Sequence, residues 1–239
     1  MSASVQADDG VVLGGSVNTA SGRYSSVSGG LRNIASGWYS SVSGGSSNTA
    51  SGDNSSVSGG SGNKAGGNFA SVSGGISNTA GGNSASVSGG FSNTANGSSS
   101  SVSGGYNNQT SGNNSSVSGG FSNTAIGGES SVSGGSNNTA IGEDSSVSGG
   151  YHSRSLGRYS WAAGGATAYG TKSNAIGNGA VNTYIGTTDT AEKSMALGYM
   201  ATADEANTIS FGHDKGDISG YSVKWQQTDG KDDYTKNPT

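Results

Sequence analysis

The segment Ser-Val-Ser-Gly-Gly recurs every 15 residues, with its valine at Val27, Val42, Val57, Val72, Val87, Val102, Val117, Val132 and Val147. Degenerate copies at Val11-Val12-Leu13-Gly14-Gly15 and Trp161-Ala162-Ala163-Gly164-Gly165 extend the series at both ends. A fixed period over so many copies dictates a stacked architecture, because short identical units bury surface only against one another. A second half-unit, such as Asn48-Thr49-Ala50-Ser51-Gly52, lies between the valine segments, and Gly30, Gly37, Gly45, Gly52 and Gly60 alternate in steps of 7 and 8. Each repeat therefore reads as two extended segments and two turns.

Helix is opposed throughout, since two or three glycines per repeat and many serines work against it. The segments fit strands of four or five residues bounded by turn glycines. Stacked in parallel at about 4.8 Å, they make an all-β parallel β-roll solenoid in which equivalent residues form columns. The nine valines form the structural core, joined by alanine at Ala20, Ala35, Ala50, Ala65, Ala80, Ala95, Ala125 and Ala140. Asparagine repeats from Asn18 to Asn138, where a stacked amide ladder or a turn bond would satisfy it.

With 29% hydrophobic residues and 46 glycines in 239, the interior is thin, and small faces are expected to pack against sister chains. A net charge of −4 with no basic run argues against nucleic acid as a partner. Between Ser36 and Gly150 the ionisable acids and bases are Asp53, Lys64, Glu129, Glu143 and Asp144, whereas nine of the 15 acids lie from Asp189 onward. There is no cysteine, so thiolate chemistry is excluded. The first residues lack the basic and apolar regions of a signal peptide, and no apolar run reaches the length of a membrane span. No direct membrane contact is expected of this segment; an exported protein would carry it as a fragment of a longer chain.

Enzyme chemistry has little to build on. His152 and His213 lie far apart, neither beside an evident nucleophile or paired carboxylates. Gly59-Gly60-Ser61-Gly62-Asn63-Lys64 lacks phosphate-loop spacing. The glycine turns carry no repeated aspartate for calcium, and Asp229, Asp232 and Asp233 read as a solvated loop. Catalytic, cofactor and metal sites are accordingly not expected. A threonine column of the ice-binding kind is interrupted by Ile34, Lys64 and Gln109 and holds one threonine per coil.

Two columns vary. After the Gly-Gly pair come Leu31, Ser46, Ser61, Ile76, Phe91, Tyr106, Phe121, Ser136 and Tyr151, expected to fill a coil corner or a subunit contact. The other runs Tyr24, Tyr39, Asn54, Phe69, Ser84, Ser99, Asn114, Glu129, Asp144 and Tyr159, a mixture that implies exposure. Arg23, Arg32, Trp38, Tyr39, Arg158 and Tyr159 are the candidate ligand-contact residues, because exposed aromatics with arginine are enriched at recognition surfaces.

The Ser-Val-Ser-Gly-Gly and Asn-Thr-Ala-Ser-Gly halves resemble the heads of the trimeric autotransporter adhesins, the YadA-like head family. Ser194-Met195-Ala196-Leu197-Gly198 and Thr208-Ile209-Ser210-Phe211-Gly212, spaced one shorter coil apart, resemble that family's Ser-Val-Ala-Ile-Gly signature, as do Ala125-Ile126-Gly127 and Ala140-Ile141-Gly142. The resemblance covers residues 11–212. It implies a left-handed β-roll, a homotrimer, and a non-enzymatic adhesin head. The site would be the outer membrane surface of a Gram-negative bacterium, through a C-terminal anchor not contained in this chain, with a host matrix or cell-surface protein as partner. The 15-residue coil, with Ser and Gly where the family often has Ala and Ile, weakens transfer of a collagen-binding role. A passive spacer of a surface fibre and a phage tail-fibre segment are the alternatives.

The expected organisation is an N-terminal lead-in or cap over 1–10, regular repeats over 11–165, irregular and 14-residue head coils over 166–212, and an insertion leading toward a neck over 213–239. That last segment is expected to cap the open strand edge of the final coil.

Overall fold

The computed structural model describes residues 5–6, 9–182, 193–203, 206–212, 221–224, 227–228 and 231–232, with side chains for 9–181, 193–203 and 206–212. The chain forms two compact units, Met1–Ala125 and Ile126–Thr239. Both are β-solenoids of parallel strands, without helix among the described residues.

In the first unit, valine segments build one sheet and alanine segments the other. Val12 pairs with Val27, Val27 with Val42 and Val42 with Val57, while Thr19 pairs with Ile34 and Ala20 with Ala35, all in parallel register one full repeat on. Val5–Gln6 already pairs with Thr19–Ala20, so strand pairing begins inside the segment read as a lead-in.

From Val11 to Ala125 every strand is two residues long, not four or five. The ladder ends early because each coil turns at non-glycine residues in the left-handed region. One series is Arg32, Ser47, Ser77, Ser92, Asn107 and Ser122; the other is Tyr24, Tyr39, Asn54, Phe69, Ser84, Ser99 and Asn114. Bulky side chains seldom adopt positive φ, so residue type concealed these corners. Glycine is needed at two further places. A Cβ on Gly67 would overlap the Gly82 carbonyl, and Gly75 turns at φ +84 with the Gly90 carbonyl equally close.

All nine core valines are at most 1% exposed, and the alanine column is sealed beside them. The interior is more polar than valine and alanine alone. Asn18, Asn33, Asn48, Asn63, Asn78, Asn93, Asn108 and Asn123 are buried, as are Ser25, Ser40, Ser55, Ser100 and Ser115. The asparagines do not bond amide to amide. Asn48 donates from Nδ2 to the Gly44 and Gly60 carbonyls at 2.9 and 3.0 Å, and its Oδ1 accepts the Asn63 backbone N–H at 2.9 Å. One side chain thus ties a turn to the next coil and meets the demand that buried polar atoms be paired. Ser40 and Ser115 donate to the carbonyls of Gly37 and Gly112 at 2.7 Å, whereas the hydroxyls of Ser25, Ser55 and Ser100 have no partner.

In the second unit, Ser131 pairs with Ser146 and Thr139 with Arg154, again at the full repeat. The register shifts between Val147 and Gly149, after which Arg154 pairs with Thr167 and Trp161 with Asn174, so the coil shortens there. Met195 pairs with Ile209, which is the step read from the two Gly-terminated segments. Tyr221–Lys224 then lies antiparallel on Thr208–Phe211, capping that edge as expected. A short antiparallel pair, Gln227–Thr228 with Lys231–Asp232, follows. His213, Asp229 and Asp233 lie outside the described residues.

Candidate ligand-contact surface

The residues of interest sit beside a left-handed corner. A coil reaches it through a buried glycine, presents one exposed residue, then a second at positive φ, and returns inward at Ser25, Ser40 or Ser55. The corner is pinned by hydrogen bonds within and between coils: Ser40 N–H to Gly37 O at 3.2 Å, and Tyr39 N–H to Arg23 O at 2.9 Å. Side chains here project from a fixed backbone, so ordering them against a partner costs little further backbone entropy.

In the first unit this geometry gathers Arg23, Tyr24, Trp38 and Tyr39. The Arg23 guanidinium lies 4.9 Å over the Tyr24 ring and donates to its hydroxyl at 3.1 Å. The Tyr24 and Tyr39 rings stack at 5.0 Å with 20° between planes. Asp9 approaches Arg23 at 4.0 Å, an exposed pair of small energetic weight. Trp38 and Tyr39 are each 57% exposed, which leaves them available to a partner. Tyr24 belongs to the cluster although its sequence neighbourhood did not single it out; the column it shares with Tyr39 was the available signal.

Arg32 does not join this cluster, because it occupies the other left-handed corner of its coil. In the second unit, Arg158 lies 4.7 Å over Tyr159 and pairs with Glu143 at 3.1 Å. The same Arg-Tyr arrangement is thus built separately in each unit.

The column after the Gly-Gly pair does not fill a coil corner. Leu31, Ile76, Phe91, Tyr106, Phe121 and Tyr151 all point outward and stay exposed. The corner itself is closed by positive-φ glycines such as Gly45 and Gly60, whose lack of a side chain lets coils approach. Phe91, Tyr106 and Phe121 form a parallel stack with centroids 5.2 Å apart and planes within 6°.

Among the described residues, no three His, Asp or Glu side chains gather as a metal site. The arrangement offers ring faces, ring edges and guanidinium donors at fixed intervals, which suits binding. No family model matches the chain, and no curated protein matches it.

Proposed function

We propose that the chain is the head of a trimeric cell-surface adhesin, non-enzymatic, that attaches its bearer to an extracellular matrix or cell-surface protein. The observation that carries this reading is the exposed Arg23, Tyr24, Trp38 and Tyr39 cluster, in which the guanidinium lies over one ring and that ring stacks on the next. Tyr24 and Tyr39 hold left-handed backbone at φ 58 and 55, a conformation that disfavours bulky residues. Arg158 and Tyr159 are the corresponding residues of the second unit.

A homotrimer of left-handed rolls belongs to the same proposal, as does placement on the outer membrane of a Gram-negative bacterium. Two observations support self-association. Coils of the first unit bury little more than one valine and one or two alanines each, and the column from Leu31 to Phe121 leaves apolar side chains outside. Analytical ultracentrifugation should give a trimer; a cooperatively folded monomer would overturn that part.

Adhesion is tested by binding the purified chain to immobilised collagen, fibronectin and laminin. The double substitution Trp38→Ala with Tyr39→Ala is expected to reduce binding while leaving the oligomer intact. Unchanged binding would count against the cluster. The invariance of the Ser-Val-Ser-Gly-Gly columns favours a passive spacer as second reading, for which no matrix protein would bind at all.

A further inference from the structure

The left-handed corner column of the first unit has a gap in its run of rings. Tyr39, Asn54 and Phe69 occupy one place in three successive coils, with nearly the same φ of 55, 56 and 58. Where rings are neighbours in this column they stack, as Tyr24 and Tyr39 do at 5.0 Å. The Phe91, Tyr106 and Phe121 stack shows what two coil steps contain: one ring between two others, 5.2 Å from each. Between Tyr39 and Phe69 the central ring is replaced by the short amide of Asn54.

We propose that the space over Asn54, between the rings of Tyr39 and Phe69, is a binding slot for one all-equatorial pyranose ring of a saccharide. It rests on reading this corner as a contact surface, and it names the chemical class of what is held there. Two coil steps separate the rings by roughly 10 Å, room for a single six-membered ring. Both side chains are accessible, Tyr39 although its other face lies on Tyr24: Tyr39 and Phe69 are 57% and 64% exposed, against 41%, 47% and 48% for the stacked Phe91, Tyr106 and Phe121.

The surroundings select a sugar over a flat aromatic guest. Asn54 forms the floor, and a polar row runs beside it. Asp53 Oδ1 accepts the Trp38 N–H at 2.9 Å, and Asn68 Oδ1 accepts the Asp53 N–H at 3.0 Å, so both side chains are held in place. A carboxylate and two amides at the rim call for a guest with hydroxyl donors around its edge. A pyranose whose substituents are all equatorial meets both demands, with axial C–H groups toward the two ring faces and hydroxyls toward Asp53, Asn54 and Asn68. An axial hydroxyl would be driven against a ring face with nothing to bond.

Saturation-transfer NMR on the full chain, with cellotetraose as probe and mannotetraose and phenol as contrasts, tests the slot. Cellotetraose should receive saturation at its axial ring protons, and mannotetraose at least several-fold less. Asn54→Tyr supplies the missing ring without altering the corner and should abolish the transfer, as should Tyr39→Ala and Phe69→Ala, with circular dichroism unchanged. No transfer to cellotetraose, transfer to phenol alone, or full transfer in Asn54→Tyr would each overturn the slot. Matrix binding is measured on the same variants. Adhesion that persists without cellotetraose transfer overturns the slot and leaves the adhesin standing. Transfer that Asn54→Tyr abolishes, in a chain that binds no matrix protein, supports the slot and removes the adhesin.

Discussion

Replacing Asn63 by aspartate changes one buried amide group for a carboxyl of the same shape, and its effect can be worked through bond by bond. Asn63 Nδ2 donates to Gly59 O at 2.8 Å and to Gly75 O at 3.0 Å, and Oδ1 accepts the Asn78 N–H at 2.9 Å. In Asn63→Ala the buried Asn78 N–H loses its acceptor, at about 1–3 kcal/mol, and two net hydrogen bonds of about 1 kcal/mol each disappear. Gly75 O keeps the Ser61 N–H at 2.9 Å and is not orphaned, so the alanine variant should lose about 3–5 kcal/mol in all. In Asn63→Asp one oxygen still accepts from Asn78, but the other faces two carbonyl oxygens. Only the protonated acid can donate to either, so the folded carboxyl pKa must rise above the unfolded value of about 3.9. A raised folded pKa means that the acid's contribution is fully present below about pH 3.9 and is lost as pH climbs through the folded value, by about 1.4 kcal/mol for each unit of elevation. Urea unfolding followed by circular dichroism at pH 3, 5 and 7, at one protein concentration, gives the difference from the parent at each pH. Asparagine does not titrate, so the parent cancels all other ionisations. Asn63→Asp should be least damaging at pH 3 and worse than Asn63→Ala at pH 7. A difference independent of pH, or an alanine cost below about 1 kcal/mol, would refute the account of the asparagine column.

Three further outcomes are expected. Gly67→Ala drives a Cβ into the Gly82 carbonyl oxygen and should cost about 3 kcal/mol or more, whereas Gly59→Ala meets nothing within 4 Å and should stabilise by about 0.4–1 kcal/mol in the same urea assay. Ser40→Ala forfeits its bond to Gly37 O and should cost about 1 kcal/mol, while Ser55→Ala removes an unpartnered hydroxyl and should be neutral or stabilising in thermal melts, Ala70 and Ala85 already standing in that column. Glu143→Gln breaks an exposed ion pair with Arg158 and should change stability by less than about 0.5 kcal/mol, a difference that shrinks as salt is raised.

The repeat period with its glycines and serines determined a stacked, parallel, helix-free coil, and residue type set the inward direction of its valines and alanines. Periodicity carries that information because register and burial repeat with it: one column is buried in every coil or in none. The variable column marked Tyr39 as exposed, while Trp38 and Arg23 were candidates only as an aromatic and an arginine beside it. Tertiary structure decided what a column looks like from its neighbours. That Asn63 bonds backbone on both sides, that Ser40 and Ser55 lie inside, and that strands shrink to two residues all follow from corners at positive φ. Nothing in a tyrosine or serine announces such a corner, because there the conformation is imposed by the coil path and its interstrand hydrogen bonds. The stack of Tyr24 on Tyr39, and the gap over Asn54, exist only because equivalent residues a full repeat apart in sequence come to rest one strand spacing apart in space.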